Sequence, residues 1–494
     1  MRRNIVANFI GRFWSLLSNF LFIPLYIKYL GFESYSIISF TMIVAGVMAI
    51  LDAGLTATLS REFSRKNVTI DEKGKTFRAL ESIYVIISIL IIVGVYFSAH
   101  YVAQNYVNSS TYNVDRVAYF LKILSFDIGF QMLCRFYLGG LFGLEKQIQA
   151  NAVQTGWGVF RNGLVVVVLM FMPTLEVFFA WQAFITILSV FITRKILVSQ
   201  FAKAFSFRFS FDKLVYQNIW RFTSGMLLIS AVAGINTQVD KIMVSKLLSV
   251  ESLGYYTIAV SLSMGLLTLV SPFSTALLPR FTAMYSIGER ENASQLFIKY
   301  YNMIAIIVFS IMANMIFFPN AIIWVWTGNI NVATHSARFL SVIAISYAML
   351  AVVNVYYNIA IANGYTKLNN VLGVGSLLLT IPGYWYAVKL YGGIGAACVF
   401  LAIQCIVTVI YIYIINKKFL VNISIWKMYF NKLLFPLSLA LVIAWLFSFI
   451  WTTTYQSRAL TLLYVGFSTV ITFSVTLLLL TPKIEIRKIL SFRI

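Results

Sequence analysis

The sequence predicts an all-α polytopic membrane protein with about fourteen transmembrane helices, and three observations carry that reading. Of the 494 residues, 60% are hydrophobic and only 11% are charged, with a mean hydropathy of +0.85; a soluble chain of this length needs far more charge to cover its surface. Apolar runs of spanning length follow one another along the chain, divided by polar segments too short to fold separately. Lysine and arginine crowd into every second one of those segments.

The runs fall near 5–27, 35–58, 79–102, 117–142, 152–172, 175–198, 219–245, 253–278, 300–326, 337–362, 369–389, 392–415, 433–452 and 459–481. Each approaches the roughly 20 residues that a helix needs to cross the hydrocarbon core. Met172-Pro173-Thr174 and Tyr391-Gly392-Gly393 are turn formers that divide the fifth run from the sixth and the eleventh from the twelfth. With a cytoplasmic N-terminus, the inner segments hold 27 of the 38 Lys and Arg, the outer segments 7, and the spans 4. That excess follows the positive-inside rule and predicts an even span count with both termini cytoplasmic. The net charge of +22 therefore reads as membrane topology, not as a nucleic-acid-binding surface.

Short segments recur in the same order at a nearly constant offset. Lys28-Tyr29-Leu30-Gly31-Phe32-Glu33-Ser34 resembles Lys246-Leu247-Leu248-Ser249-Val250-Glu251-Ser252, Ala57 to Phe63 resembles Ala276 to Phe281, and Gly143-Leu144-Glu145-Lys146 resembles Gly364-Tyr365-Thr366-Lys367. Six spans separate the copies, so both halves cross in the same sense, as parallel repeats about an axis along the membrane normal. The expected division is an N-lobe at 1–200 (spans 1–6), a C-lobe at 201–418 (spans 7–12), and spans 13–14 with a cytoplasmic tail at 419–494.

Several chemistries lack a signal. Cys134, Cys398 and Cys405 lie in apolar runs without metal or disulfide spacing. His100 and His335, the only histidines, fall in outer loops, so neither zinc binding nor histidine catalysis is expected. No phosphate-binding loop occurs, and neither catalytic residues, a metal nor a bound cofactor is expected. Met1-Arg2-Arg3 and its apolar run read as a retained first span, because the run carries Arg12 and lacks a small-x-small cleavage site.

Ionisable and polar side chains inside spans therefore carry the functional expectations, since burying each charge in a bilayer costs about 2.5–3.5 kcal/mol on insertion scales. Asn8, Arg12, Ser15 and Asn19 form one stripe along span 1. Arg12 reads either as a guanidinium offered to an anionic substrate or as half of a structural ion pair. In span 4, Asp127, Gln131 and Arg135 share a face; Gln131 either bridges the two charges locally or lines a cavity with them. Arg161 in span 5 is either a substrate contact or a snorkelling side chain. Span 7 holds Asn236, Thr237, Gln238, Asp240 and Lys241, the densest polar run within any span. Asp52, in span 2, pairs with a nearby arginine or takes up a proton.

Leu51-Asp52-Ala53-Gly54-Leu55, Gly143-Leu144-Glu145-Lys146-Gln147 with Asn151, and Gln238-Val239-Asp240-Lys241-Ile242 with Gly254-Tyr255-Tyr256 resemble the O-antigen flippase (Wzx) family of polysaccharide transporters. Pro272, Pro279-Arg280-Phe281 and Gly364 to Asn370 fit the same pattern in the second half. The resemblance covers essentially the whole chain. It implies the fold of the multidrug/oligosaccharidyl-lipid/polysaccharide exporter superfamily, with two six-helix lobes in a V shape and two C-terminal helices. It also implies an undecaprenyl-diphosphate-linked oligosaccharide as cargo, moved from the cytoplasmic to the periplasmic leaflet of a bacterial inner membrane by alternating access. Cavity cations would then be Arg12, Arg161, Arg135 and Lys241. Asp52, Asp127 and Asp240 would be candidates for proton or sodium coupling, and Asn8, Ser15, Asn19 and Asn236 would form the polar lining. Membrane lipids and other polysaccharide-assembly proteins are the implied partners. The alternatives are a multidrug cation antiporter or a lipid II flippase of the same superfamily and, more distantly, a membrane enzyme of glycan assembly. The short outer loops argue against the enzyme.

Overall fold

The computed structural model describes residues 18, 20–52, 55–64, 69–201, 209, 230–450 and 457–480, which are helical with short connections and contain no strand. Among the described residues, twelve helices are long and apolar enough to cross a membrane. They coincide with twelve of the fourteen runs expected from the sequence. The other two, 5–27 and 219–245, lie partly outside the described residues; their described parts include the apolar helix α1, Phe20–Leu30, and α9, Val239–Leu247.

The chain packs as two compact units, Met1–Gly254 and Tyr255–Ile494. The first contains α2 (Phe32–Met48), α3 (Leu55–Ser64), α4 (Ile70–Tyr106), α5 (Val114–Gly143), α6 (Gln147–Gly158), α7 (Val165–Phe171), α8 (Leu175–Val198) and α9. Thr69 starts α4 with a capping box: its hydroxyl accepts from the Glu72 amide while the Glu72 carboxylate accepts from the Thr69 amide. The central helix is α5, which packs on α3, α4 and α8. Close approach of α3 depends on missing side chains, because a Cβ at Gly143 would stand 2.6 Å from the Ser60 carbonyl oxygen. Stacked rings fill the interior beside it, Tyr84 on Phe136 at 4.1 Å and Phe77 on Phe136 at 5.9 Å.

In the second unit, α10 (Val250–Ser286, beginning just before the division) is followed by α11 (Arg290–Phe317), α12 (Pro319–Thr327), α13 (Ile330–Ala362), α14 (Thr366–Tyr391), α15 (Gly393–Phe419), α16 (Phe435–Ile450) and α17 (Arg458–Leu480). The run expected as one span at 300–326 is two helices, because Pro319 supplies no amide to continue α11 and instead opens α12. Helices α16 and α17 pack against α11. The Ser468 hydroxyl donates to the buried Asn314 Oδ1 at 2.7 Å, and Arg458 donates to the Val325 and Trp326 carbonyls that end α12.

Candidate functional site

The site begins with a register change. Between α6 and α7 the backbone widens into a π-turn, Val159–Leu164. Three successive carbonyls there take side-chain donors: Phe160 from Trp181 Nε1 at 3.0 Å, Arg161 from Gln182 Nε2 at 2.9 Å, and Asn162 from the Tyr26 hydroxyl at 2.7 Å. The π-turn takes the ladder out of its regular register, and side-chain donors from α1 and α8 reach these three carbonyls.

Arg161 sits in that turn, and its Nη2 lies 2.6 Å from Asp127 Oδ2. Asp127 is 1% exposed and Arg161 20%. The carboxylate also accepts from Gln131 Nε2 at 2.9 Å and from the Thr186 hydroxyl at 2.6 Å. The guanidinium lies 5.4 Å from the Trp157 ring, while its Nε is buried without a hydrogen-bond partner. The network thus joins α5, the π-turn and α8 through one carboxylate.

Two turns along α5, Arg135 stands half-buried in a small recess with Ala45, Met48, Ala49, Ile91, Ile128 and Gln131. Gln131 serves Asp127 and makes no hydrogen bond to Arg135. Among the described residues Arg135 has no carboxylate and no hydrogen-bond partner. With Arg161 held by Asp127, Arg135 is the arginine of α5 that stands outside ion-pair distance of any carboxylate among the described residues.

The other expected residues lie elsewhere. Asp52 ends a tight turn after α2, where Oδ1 accepts from the Thr56 hydroxyl at 2.6 Å and the Tyr84 hydroxyl at 2.7 Å. Asp240 is 7% exposed, with Lys241 Nζ at 3.6 Å from its Oδ1. Lys241 also donates to the Thr237 carbonyl at 2.5 Å, and Asn236 turns back to the Val232 carbonyl at 3.0 Å. Asn8, Arg12, Ser15 and Asn19 lie outside the described residues. Among the described residues, no three His, Cys, Asp or Glu converge as metal ligands.

Two groups escaped the sequence reading. Glu81, 1% exposed, accepts from Arg194 Nε at 2.7 Å and from the Tyr137 hydroxyl at 2.8 Å. Glu81 opens the third apolar run, so an acid in a span was a readable signal. Glu33 accepts from the Ser109, Ser110 and Thr111 hydroxyls and from the Ser110 and Thr111 amides. That strap also meets the end of α9, where Asn108 Nδ2 donates to the Leu248 carbonyl at 3.2 Å and the Val250 amide to the Asn108 carbonyl at 2.9 Å.

This arrangement is the fold of the MOP-superfamily transporters and flippases. A lipid II flippase, MurJ, in an inward closed conformation superposes with a TM-score of 0.75 at 15% identity, over 97% of this chain and 99% of that one. An inward-facing multidrug resistance transporter of the MATE family gives 0.63 at 17% identity, over 84% and 98%. A MOP-superfamily transporter from Pyrococcus furiosus gives 0.55 at 15%, over 83% and 94%. Residues 1–285 match the family model described as polysaccharide biosynthesis protein, and residues 226–386 match the MatE model. The chain belongs to the polysaccharide biosynthesis protein family. Among curated proteins, none matches significantly.

Proposed function

We propose that the protein is a flippase for lipid-linked saccharides, with an undecaprenyl-diphosphate-linked O-antigen or related repeat unit as its cargo. The observation that carries this reading is Arg135, a half-buried cation without a counterion among the described residues, in a chain of the polysaccharide biosynthesis family. A diphosphate supplies the missing anion, and a guanidinium fork suits phosphate oxygens. The cation-antiporter reading asks for the opposite polarity at this position. In the proposed mechanism the headgroup binds at Arg135, the lipid tail stays in the bilayer, and the lobes rock to present the cargo to the other leaflet. Arg161 with Asp127, and Lys241 with Asp240, are second-line contacts, because their charges are already partly met. Asp127 and Asp240 are the candidate sites for proton or sodium coupling. The proposed setting is a bacterial inner membrane with both termini cytoplasmic, beside other polysaccharide-assembly proteins.

The test is surface polysaccharide in cells whose only flippase is this chain, at matched membrane abundance. Arg135→Ala should lower surface glycan about tenfold or more, as expected for loss of a charged contact of about 1.5–3 kcal/mol, and Arg135→Lys should restore part of it. Wild-type glycan from Arg135→Ala would overturn the assignment. Export of organic cations by the purified protein, without movement of lipid-linked saccharide, would replace it with the antiporter.

A further inference from the structure

The end of α8 holds a recess that neither the Asp127 network nor the proposed cargo contact uses. It has a volume of about 360 Å³ and is lined by Phe191, Arg194, Lys195, Val198, Ser199 and Phe201. Phe201 forms the floor; it turns back after the helix and packs edge-on to Phe63 at 5.8 Å and flat on Phe77 at 5.8 Å. Arg194 is held in place by Glu81 through Nε at 2.7 Å and Nη2 at 3.3 Å. Lys195 is exposed and has no acidic partner among the described residues. The Ser199 hydroxyl is turned to the Ile196 carbonyl at 2.8 Å, so the two cations supply the polar character of the recess.

The line leading away from it is apolar. Phe184, Leu188, Phe191 and Lys195 follow one another at helical spacing along one face of α8. Phe184 is 59% exposed, Leu188 45% and Phe191 63%, on a helix long and apolar enough to cross a membrane. A basic recess at the end of an exposed apolar stripe has the polarity of a single phospholipid, charged at one end and hydrocarbon along its length. One of the two positive charges is balanced by Glu81, which leaves a net positive charge at the rim. A net anion satisfies that charge; the ammonium end of a zwitterionic headgroup would be repelled by it.

We propose that this recess binds the phosphate of an anionic glycerophospholipid, with an acyl chain lying along Phe191, Leu188 and Phe184. Lys195 supplies the point charge, and Arg194 offers the guanidinium edge that Glu81 does not use. The proposal is independent of the transported cargo, and lipid occupancy here would tie α8 to the headgroup layer.

The test uses the full purified chain in neutral detergent, titrated with phosphatidylglycerol or with phosphatidylcholine and followed by native mass spectrometry. Phosphatidylglycerol should be retained and phosphatidylcholine should not. Lys195→Gln should weaken retention about fivefold, the effect of one basic side chain near a lipid headgroup. Lys195→Glu should weaken it further, and Lys195→Arg should keep it. The lipid-free melting temperature should be unchanged in all three, because Lys195 makes no contact that the fold uses. Equal retention of the two lipids, or of phosphatidylglycerol by Lys195→Glu and wild type, would overturn the proposal. So would displacement of phosphatidylglycerol by undecaprenyl diphosphate, which would assign the recess to the cargo.

Discussion

Removing Arg161 should destabilise the first unit far more than removing Arg135, although both are arginines in membrane-spanning helices. Arg161→Ala leaves Asp127, 1% exposed, with two neutral donors, Gln131 and Thr186, in place of three. Breaking a buried ion pair from one side costs about 3–5 kcal/mol, because the remaining charge keeps its desolvation penalty. Asp127→Asn leaves the guanidinium unpaired instead, but that side chain is 20% exposed and lies near the Trp157 ring, so the expected cost is about 1–3 kcal/mol. In the double variant neither charge is stranded. The two effects should then fall short of their sum by about 2 kcal/mol, within the range for residues in direct contact. Arg135→Ala breaks no pair, and its cost should stay under about 1 kcal/mol, mostly lost packing of the side-chain stem. The assay is denaturant unfolding in detergent, followed by tryptophan fluorescence, for wild type, both singles, the double and Arg135→Ala. Additivity of Arg161→Ala and Asp127→Asn within about 0.5 kcal/mol would refute the coupling. So would an Arg135→Ala variant less stable than Arg161→Ala.

Three further outcomes follow from the packing. Gly143→Ala should destabilise by about 1–3 kcal/mol, because the new Cβ meets the Ser60 carbonyl, which is backbone and cannot turn aside; an unchanged unfolding midpoint would contradict the α3–α5 contact. Glu33→Gln should speed hydrogen exchange of the Ser110 and Thr111 amides, which donate to that carboxylate, and unaltered protection there would count against the strap. Arg458→Ala should loosen the start of α17 by about 1 kcal/mol, since it removes donors to the Val325 and Trp326 carbonyls. Hydrogen exchange confined to 457–465 would read that loosening, and no change would show the cap to be unimportant.

The spans were legible because bilayer thickness sets one length and hydropathy marks it. The contact from Gln131 to Asp127 was legible too, since both lie on one helical face four residues apart. The partner of Asp127 was not. Arg161 is 34 residues away, and its direction depends on a π-turn whose carbonyls accept from Tyr26, Trp181 and Gln182. Helical periodicity assumes a uniform register and cannot foresee that turn. Arg194 was hidden for a different reason: at the end of a run it counts as loop charge, and only the packing of both α8 and α4 on α5 sets it against Glu81. Four cations in spans were equivalent in the sequence. In the structure Arg161 and Lys241 stand within ion-pair distance of acids, Arg135 does not, and Arg12 lies outside the described residues.

That inequality bears on how an anionic cargo would be released under the proposed flippase mechanism. A unit charge pair at about 4 Å is worth about 4 kcal/mol where the effective dielectric constant is near 20. Several uncompensated guanidiniums around one diphosphate would multiply that attraction, and a carrier that holds its cargo so tightly cannot let it go in the second leaflet. Pairing Arg161 with Asp127 would withdraw one cation from the ground state and leave Arg135 as the main attractor in that mechanism. Removing the negative charge of Asp127 would free Arg161, so that the diphosphate would meet two cations in place of one. The attraction would then change with the charge of Asp127, binding with two cations and releasing with one. Asp127→Asn should therefore hold lipid-linked diphosphate more tightly than wild type while turning over more slowly. Tighter binding with slower flipping, measured in proteoliposomes, separates this mechanism from a purely structural ion pair, for which Asp127→Asn would lower both together through loss of folded protein.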